Sequence, residues 1–451
     1  MNCSPVFRSS LLILSAAAAL FMGSPPASAI TPTLVGIPHG AADHSPCTYF
    51  DSSGCEDKAV FSTASFDEGG QRWIYASAQN GHILLNEKNL STGAWMWTPS
   101  VQAINMASID STATVALGSV FSQAGHPYFN PVNSTSYSHI MYFVFQGQST
   151  PGLAGSVCVS YSNAGINWTT PIWAVDGTPG AVRGRTCGTG AAGLVAAEAI
   201  AGFHTSPSTI HLFHMEGNLS VISPLATSGR TLTYYSTASS SNPDILTRVG
   251  EITASGMSSV NRPSGTAHRF FLNLEATYDP ANGHVYLLRV YGAPYDVNDS
   301  TLPCESACPG GLATFPMRGQ IYDMLVNGDF TKTLSTTANS WNLLADLGDF
   351  YGHATFDTGV CKPYLFPSCV PQSRYLPDMD SLSVHKDPTG LLYRNAQGQA
   401  LVFAGLWVRK PREQSCHDVW QAGGPPGGTW RDGDLYQFFW PPLGTDPTIC
   451  P

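Results

Sequence analysis

Short runs of aliphatic and aromatic residues alternate with turn-forming residues along most of the chain. Clear examples are HIMYFVFQG, TIHLFHMEG, HVYLLRVYG, QIYDMLVNG and ALVFAGLWV. Short apolar runs bounded by Gly, Pro, Asn and Asp are typical of strands joined by tight turns. Helical periodicity is nearly absent, and the best candidate, residues 190–201, contains Gly193 and fits a buried strand equally well. The pattern therefore predicts an all-β protein.

The order of the strands contains a repeat. A strand of small residues precedes a turn and an aromatic-rich strand in STASFDEGGQRWIYAS (62–77) and NLEATYDPANGHVYLL (273–288), and GHATFDTGV (352–360) is a related fragment. Most of these units follow one another at roughly 50 to 85 residues, which suits four-stranded propeller blades. The small-residue strands begin near residues 63, 115, 197, 275, 353 and 381, and the last two are too close for both to be inner strands.

This repeat predicts a β-propeller of five blades, with six or seven as alternatives. Small residues fit the crowded inner strands near the axis, and aromatic residues pack between blades. The competing architecture is a β-sandwich or jelly roll, but a single sandwich rarely needs so long a chain and would not reuse one strand–turn–strand unit three or more times.

The first 29 residues have the features of a secretory signal peptide. Arg8 precedes an apolar run from Leu11 to Met22, and Ala27-Ser28-Ala29 matches the small-residue cleavage rule. A membrane anchor is the alternative, but the run is too short to span a bilayer. We expect a signal peptide at 1–29, a single propeller domain at 30–451, and secretion to the extracellular space or periplasm.

Composition and charge limit the classes of partner. Charged residues make up only 12% of the chain, and the formal net charge is −10. Nucleic acid or anionic lipid would require a basic face, so we expect neither nucleic acid nor membrane as partner. We expect the protein to be a monomer.

Cysteine use also indicates export. An even number of cysteines follows the signal peptide, which in an oxidising compartment indicates disulfide bonds. Sequence alone does not fix the connectivity, but neighbours pair naturally. The expected pairs are 47–55, 158–187, 304–308, 361–369 and 416–450.

The stretch SYSNAGINWTTP, from Ser160, resembles the Asp-box turn of sialidase-like propellers and the Ser-x-Asp-Gly-x-Asn-Trp hairpin of five-bladed glycosidases such as the arabinanase and xylosidase family. In this alignment Asn163 caps the turn, Gly165 takes a positive φ, and Trp168 covers the hairpin core. The motif is structural and supports the fold. The Arg-Ile-Pro segment of true sialidases is absent, which argues against sialidase activity.

The five-bladed glycosidases use an Asp base, a Glu acid and a second Asp on inner strands of separate blades. LEATYDPANGHVYLL resembles the segment that carries their acid, with Glu275 in its place and Thr277 where the family has Pro. Glu198, 77 residues earlier, is aligned with the same axial position. Glycoside hydrolysis needs two carboxyl groups on opposite sides of the scissile bond, and inner strands of different blades can supply both. Each Glu could instead form a structural salt bridge.

Other side chains are candidates for the same site around the propeller axis. Asp380 would be the inner-strand carboxylate of the last repeat, and Asp43 precedes the first blade, where the resembling enzymes carry their base. The candidate catalytic residues are Glu275, Glu198, Asp380 and Asp43, and the candidate substrate-binding residues are His353, Arg183, Arg185 and Trp97. We expect no cofactor and no metal ligand set, although a structural ion in the central channel is an alternative.

Each of these candidates has a structural alternative. Arg183 and Arg185 could meet an acidic sugar or only acidic loops, and the alternating Trp95 and Trp97 could stack on sugar or plug the space between blades. Asp67, Asp279 and Asp357 end their strands and fit turn caps. Motifs of P-loop proteins, dinucleotide binders, serine hydrolases and zinc proteases are absent. The sequence predicts a secreted, glycoside-hydrolase-like propeller, with a non-catalytic carbohydrate-binding or surface-interaction propeller as the alternative.

Overall fold

The computed structural model describes a chain built almost entirely of β-strands. It describes residues 33–35, 62–78, 81–98, 100–110, 114–125, 127–146, 155–189, 193–217, 230–252, 260–261, 273–292, 317–326, 330, 341–347, 378–409 and 430–440. Within these ranges no helix is long and apolar enough to cross a membrane.

The first described strand, β1 (Thr33–Leu34), belongs to the last blade. Blade 1 has the order β2-β3-β4-β5, and blade 2 has the order β6-β9-β10-β11, with a small hairpin of β7 and β8 inserted after its first strand. These strands are β2 (Ser62–Glu68), β3 (Gln71–Ala78), β4 (His82–Asn89), β5 (Val101–Asn105), β6 (Thr114–Ser122), β7 (Tyr128–Asn130), β8 (Thr135–Tyr137), β9 (His139–Gln146), β10 (Ser156–Ser162) and β11 (Ile172–Trp173).

The remaining three blades follow in the same manner. Blade 3 is β12-β13-β14-β15 with β16 beside β14, blade 4 is β17-β18-β19-β20, and blade 5 is β21-β22-β23-β1. These strands are β12 (Ala199–Ser206), β13 (Thr209–Gly217), β14 (Arg230–Ser239), β15 (Asn242–Ile252), β16 (Val260–Asn261), β17 (Leu274–Asp279), β18 (His284–Gly292), β19 (Met317–Leu325), β20 (Asn342–Leu347), β21 (Asp378–Val384), β22 (Ala400–Arg409) and β23 (Trp430–Trp440).

The architecture is therefore a five-bladed β-propeller, as the repeat predicted. The inner strands are β2, β6, β12, β17 and β21, so five of the six predicted starts are correct to within three residues. The sixth, near residue 353, lies outside the described residues. Strand β1 completes blade 5 by pairing antiparallel to β23, so the first and the last described strands close the ring together.

Apolar side chains fill the spaces between blades. Phe66, Tyr75 and Phe143 belong to a buried cluster shared by blades 1 and 2, and Tyr286 and Val402 belong to another that extends over blades 3 to 5. Alternation along each inner strand sends successive side chains to opposite neighbours. Aromatic residues in the second strands thus hold adjacent blades together, as the pattern predicted.

The Asp-box-like hairpin after β10 has the predicted role with one difference. Gly165 has φ 71°, and a Cβ there would lie 2.8 Å from the hydroxyl oxygen of Tyr75, so only glycine fits. Trp168 Nε1 donates to the Gly165 carbonyl at 2.7 Å. The hydroxyl of Ser162, and not the predicted amide of Asn163, accepts the turn N–H of Ala164. A hydroxyl two residues before the N–H forms this turn without the longer Asn side chain.

The predicted disulfide between Cys158 and Cys187 is present and ties β10 to the segment that follows β11. The cysteines of the other four expected pairs lie outside the described residues, and their pairing stays a prediction. Among the described residues, no group of three or more His, Cys, Asp or Glu side chains is arranged to hold a metal ion.

Candidate functional site

One end of the propeller axis is crossed by a segment of blade 5. Residues His385–Tyr393 follow β21, and we call them the axial plug. Their backbone bonds to all four other inner strands, at positions from the middle of the strand to its last residue. These bonds are Lys386 N–H to Ser65 O (3.1 Å), Ser122 N–H to Pro388 O (2.8 Å), His204 N–H to Thr389 O (2.8 Å) and Leu392 N–H to Tyr278 O (2.9 Å). The plug therefore closes the axis where the inner strands end, here named the C-terminal end.

Lys386 extends from the plug into the axis and meets Glu275. Its Nζ lies 2.6 Å from Glu275 Oε1, and the side chains of both residues are 2% exposed. The same ammonium lies 3.3 Å from Ser119 Oγ and 3.4 Å from the Gly202 carbonyl oxygen. One lysine thus bonds to inner strands of blades 2, 3 and 4.

Glu275 is also bonded to backbone groups. Its Oε1 accepts the N–H of Ala276 at 2.9 Å, and the carboxylate accepts a backbone hydrogen bond from Val384. Burial raises the pKa of Glu275, and Lys386 together with the two N–H donors opposes that rise. Two residues earlier, Asn273 Oδ1 accepts the N–H of Leu382 at 3.0 Å. Side chains of β17 and of the residue before it therefore accept hydrogen bonds from backbone N–H groups on the edge of β21.

Glu198 does not share the axial position of Glu275. The rings of Phe203 and Tyr278 stack at 6.0 Å and mark one level of adjacent inner strands. Glu275 precedes Tyr278 by three residues, whereas Glu198 precedes Phe203 by five. At roughly 3.3 Å per residue, Glu198 lies about 7 Å nearer the N-terminal end of the inner strands. The side chain of Glu198 is buried, with the residue 4% exposed.

Of the other two predicted carboxylates, the structure describes the position of Asp380 but not that of Asp43. Asp380 lies in β21 at a break in the pairing register between Met379 and Ser381. Since Leu382 is bonded to Asn273, Asp380 stands further toward the N-terminal end than Glu275. Asp43 and His353 lie outside the described residues. The structure thus places Glu275 and Asp380 on inner strands and Glu198 directly before one, at successive levels along the axis.

The arginine pair is split between two environments. Arg183 forms a bidentate pair with Asp244, at 2.8 Å and 2.6 Å, and Asp244 is fully buried in β15. This pair joins the chain after β11 to blade 3. Arg185 is exposed, and its carbonyl accepts the N–H of Trp173. Arg183 is therefore occupied by a structural partner, and Arg185 faces solvent.

Trp95 and Trp97 pack on different clusters. Trp95 lies against the buried residues between blades 1 and 5, whereas Trp97 lies against those between blades 1 and 2. The two rings therefore do not form one face, contrary to the expectation from their alternation, because the segment is an irregular connection and not a strand. Their positions match the inter-blade alternative.

The strand-ending aspartates differ from one another. Asp279 Oδ1 accepts the N–H of Ala281 at 3.0 Å, which is the predicted turn cap, and Oδ2 binds Arg394. Asp67 instead pairs with Arg72 at 2.9 Å and with His385 at 3.2 Å. Burial alone would raise the pKa of Asp67, but hydrogen bonds from His385 and Arg72 outweigh it and lower that pKa. Asp357 lies outside the described residues.

Neither the role of Lys386 nor the axial plug was predicted from the sequence. Lys386 follows a strand in a segment with Asp, Pro and Gly, a composition that is typical of a solvated turn. The only available signal was length, since the connection from β21 to β22 is much longer than the corresponding hairpins of blades 1, 3 and 4, such as Asp279 to His284.

No protein-family model matches the chain, and no curated protein matches it. Solved structures with a similar backbone include an N-acetylgalactosamine deacetylase from F. plautii (10% identity, 94% of this chain and 97% of that chain, TM-score 0.45). Others are the α-L-arabinofuranosidase PaAbf62A from Podospora anserina (11%, 91% and 96%, 0.39) and the GH43_1 enzyme from Xanthomonas citri (10%, 92% and 91%, 0.40).

Proposed function

We propose that the protein is a glycoside-hydrolase-like propeller that receives carbohydrate at the N-terminal ends of its inner strands. The observation that carries this proposal is the position of Glu198 relative to the axial plug. The plug closes the C-terminal end of the axis, whereas Glu198 lies at the other end of β12, directly before its first residue, Ala199. Glu198 is a buried carboxylate next to a strand of small apolar residues, and ionisable groups in such surroundings concentrate at functional sites.

In this proposal Glu198 is the general acid and Asp380 the second carboxylate. Glu198 directly precedes the inner strand of blade 3 and Asp380 belongs to that of blade 5, and both stand nearer the N-terminal end than Glu275. Glu275 then has a supporting role, because its carboxylate is bonded to Lys386 and to two backbone N–H groups. A carboxyl group held in this way is poorly placed to give a proton to a leaving group.

The test uses a general acid's dependence on its leaving group. We expect Glu198→Gln to lose about 10²–10⁴-fold in activity on the polysaccharide that the protein cleaves best among arabinan, xylan and mannan. The same variant should keep most of its activity on the matching dinitrophenyl glycoside, whose leaving group needs no proton. Glu87→Gln is the matched control, because Glu87 is also buried but lies on β4, away from the axis. Equal losses on both substrates would contradict the role of Glu198.

A second candidate function is carbohydrate binding without hydrolysis. The observation that favours it is the pairing of other carboxylates on the described inner strands. Asp67 binds Arg72, Asp279 binds Arg394, and Glu275 binds Lys386. If the wild-type protein releases no sugar but binds one of the same polysaccharides in affinity electrophoresis, and Glu198→Gln weakens that binding, this candidate replaces the first. Neither release nor binding would refute both.

Secretion is part of the proposal. The Cys158–Cys187 disulfide fits an oxidising compartment. Expression of the full chain in a host with a general secretion pathway should yield a culture or periplasmic protein whose first residue is Ile30, as read by N-terminal sequencing. A protein that stays in the cytoplasm with Met1 intact would contradict it.

A further inference from the structure

The contact between blades 1 and 5 is lined by two facing rows of polar side chains, here called the blade 1–5 seam. Strand β2 contributes Thr63, Ser65 and Asp67, and β21 with its continuation contributes Ser383 and His385. Ser65 and Asp67 bond to His385, so these side chains of the two strands face each other. Because every second residue of a strand lies on the same face, Thr63 and Ser383 also face the seam. All of these residues except Asp67 are at most 2% exposed.

The side chains near the C-terminal end of the seam are bonded to one another, and those nearer its N-terminal end are not. Ser65 Oγ lies 3.0 Å from His385 Nδ1, and Asp67 Oδ2 lies 3.2 Å from His385 Nε2. In contrast, Thr63 Oγ1 and Ser383 Oγ are buried without a hydrogen-bond partner in the described part of the chain. A hydroxyl group removed from water without a partner favours any state in which it is solvated again.

At the other inner-strand contacts, side chains are bonded or stacked. Between blades 1 and 2, Ser122 Oγ donates to Glu68 Oε1 at 2.8 Å. Between blades 2 and 3, Ser119 Oγ accepts the N–H of Gly202 at 2.9 Å. Between blades 3 and 4, the aromatic rings of Phe203 and Tyr278 stack. Between blades 4 and 5, the polar side chains are bonded to the backbone: Asn273 accepts from Leu382, and Thr277 Oγ1 donates to the Gly390 carbonyl at 2.9 Å.

We propose that the propeller opens reversibly at the blade 1–5 seam, before any other contact between its described inner strands. Opening returns the hydroxyl groups of Thr63 and Ser383 to water and frees the first plug bond, Lys386 N–H to Ser65 O. The rest of the plug stays attached to blades 2, 3 and 4 through Pro388, Thr389 and Leu392. The opening is therefore a lateral gap beside the axis and leaves the ring otherwise intact.

Cysteine labelling under native conditions tests this opening. Ser383→Cys places a thiol in the seam, and Ala201→Cys places one on the buried inner strand β12, in the apolar cluster of blades 3 to 5. With a maleimide reagent and peptide mass spectrometry to identify the labelled cysteine, we expect Ser383→Cys to react at least tenfold faster. Equal or slower reaction at position 383 would overturn the proposal.

A second substitution separates seam opening from general loosening. In the Ser383→Cys background, Thr63→Val removes the other unpartnered hydroxyl and should slow labelling several-fold. Thr233→Val is the matched control, because Thr233 Oγ1 is equally buried and unpartnered but lies on β14 in blade 3. It should leave the labelling rate unchanged. If both substitutions slow labelling to a similar extent, the opening is not localised to the blade 1–5 seam and the proposal is wrong.

The unmodified protein provides an independent measurement if a cysteine variant does not fold. The Lys386 and Leu392 amides both belong to the plug and both donate to inner-strand carbonyls, on blades 1 and 4 respectively. After correction for intrinsic rates, we expect the Lys386 amide to exchange with deuterium at least tenfold faster than the Leu392 amide. Equal protection of the two amides, or stronger protection at Lys386, would overturn the proposal.

Discussion

Lys386 and Glu275 form a buried ion pair, 2.6 Å long, on the axis of the propeller. The lysine comes from the plug of blade 5, and the glutamate comes from the inner strand of blade 4. A charge removed from water is tolerated only with a partner and with further hydrogen bonds. Here Ser119, Ala276 and Val384 supply those bonds. The pair thus gives the centre of the ring a specific arrangement that involves four blades.

Removing one member of this pair should be more damaging than removing both. We expect Glu275→Gln or Lys386→Met alone to lower the free energy of unfolding by about 3–5 kcal/mol, because each leaves a buried charge uncompensated. The double variant should lose clearly less than the sum of the two. Urea unfolding of the four proteins at pH 7 measures this cycle, and additive losses would show that the two side chains do not act as a pair.

Acid should destabilise the protein well above the pH at which carboxylates protonate. Burial lowers the pKa of His204 and of His211 to about 4 each. The unfolded chain therefore binds these two protons from about pH 6.5 downward, while the folded protein does not, and stability falls as the pH falls through this window. Two such histidines remove roughly 4 kcal/mol between pH 7 and pH 5.

The substitution His211→Gln isolates one of these contributions. The variant is expected to be less stable at pH 7, because His211 bonds to Thr205 and Tyr235. Its loss of unfolding free energy between pH 7 and pH 5 should nevertheless be smaller than that of the wild-type protein by roughly 2 kcal/mol. Urea unfolding at pH 7, 6 and 5 gives the two slopes. Parallel slopes would mean that His211 titrates normally in the folded state.

Arg183 should prove to be structural and not a sugar contact. Arg183→Ala leaves the fully buried carboxylate of Asp244 without its bidentate partner, at a cost of about 3–5 kcal/mol in unfolding stability. Carbohydrate affinity measured on the folded variant should stay within twofold of wild type. Arg185→Ala, a neighbouring exposed arginine, is the control for loss of charge and should change stability little. A loss of carbohydrate affinity in Arg183→Ala but not in Arg185→Ala would show that Arg183 contacts the carbohydrate.

The fold could be predicted because its repeat is local. Ala64-Ser65-Phe66 in β2 and Ala276-Thr277-Tyr278 in β17 occupy equivalent places next to a tight hairpin. Short-range alternation and turn residues determine such units, so the sequence indicates them directly. Strand β6 has no Asp at its end, yet its small and apolar residues still marked it as an inner strand.

The centre of the ring could not be predicted in the same way. The contact of Glu275 with Lys386 spans 111 residues, and no local pattern encodes it. Aligning Glu198 with Glu275 was wrong by two residues because the alignment used distance along the chain, whereas the stacked rings of Phe203 and Tyr278 define the level. A shift of two residues keeps the side chain on the same face and changes only its height, so the hydrophobic pattern gives no warning.

The most direct test of the functional account locates bound carbohydrate on the propeller. Deuterium exchange is measured with and without a saturating oligosaccharide of the polysaccharide that the protein cleaves or binds best among arabinan, xylan and mannan. Our account predicts protection at the N-terminal ends of inner strands, around residues 193–200 and 378–382, with the plug at 385–393 unchanged. Protection confined to the plug face, or none on any inner strand at saturation, would contradict it.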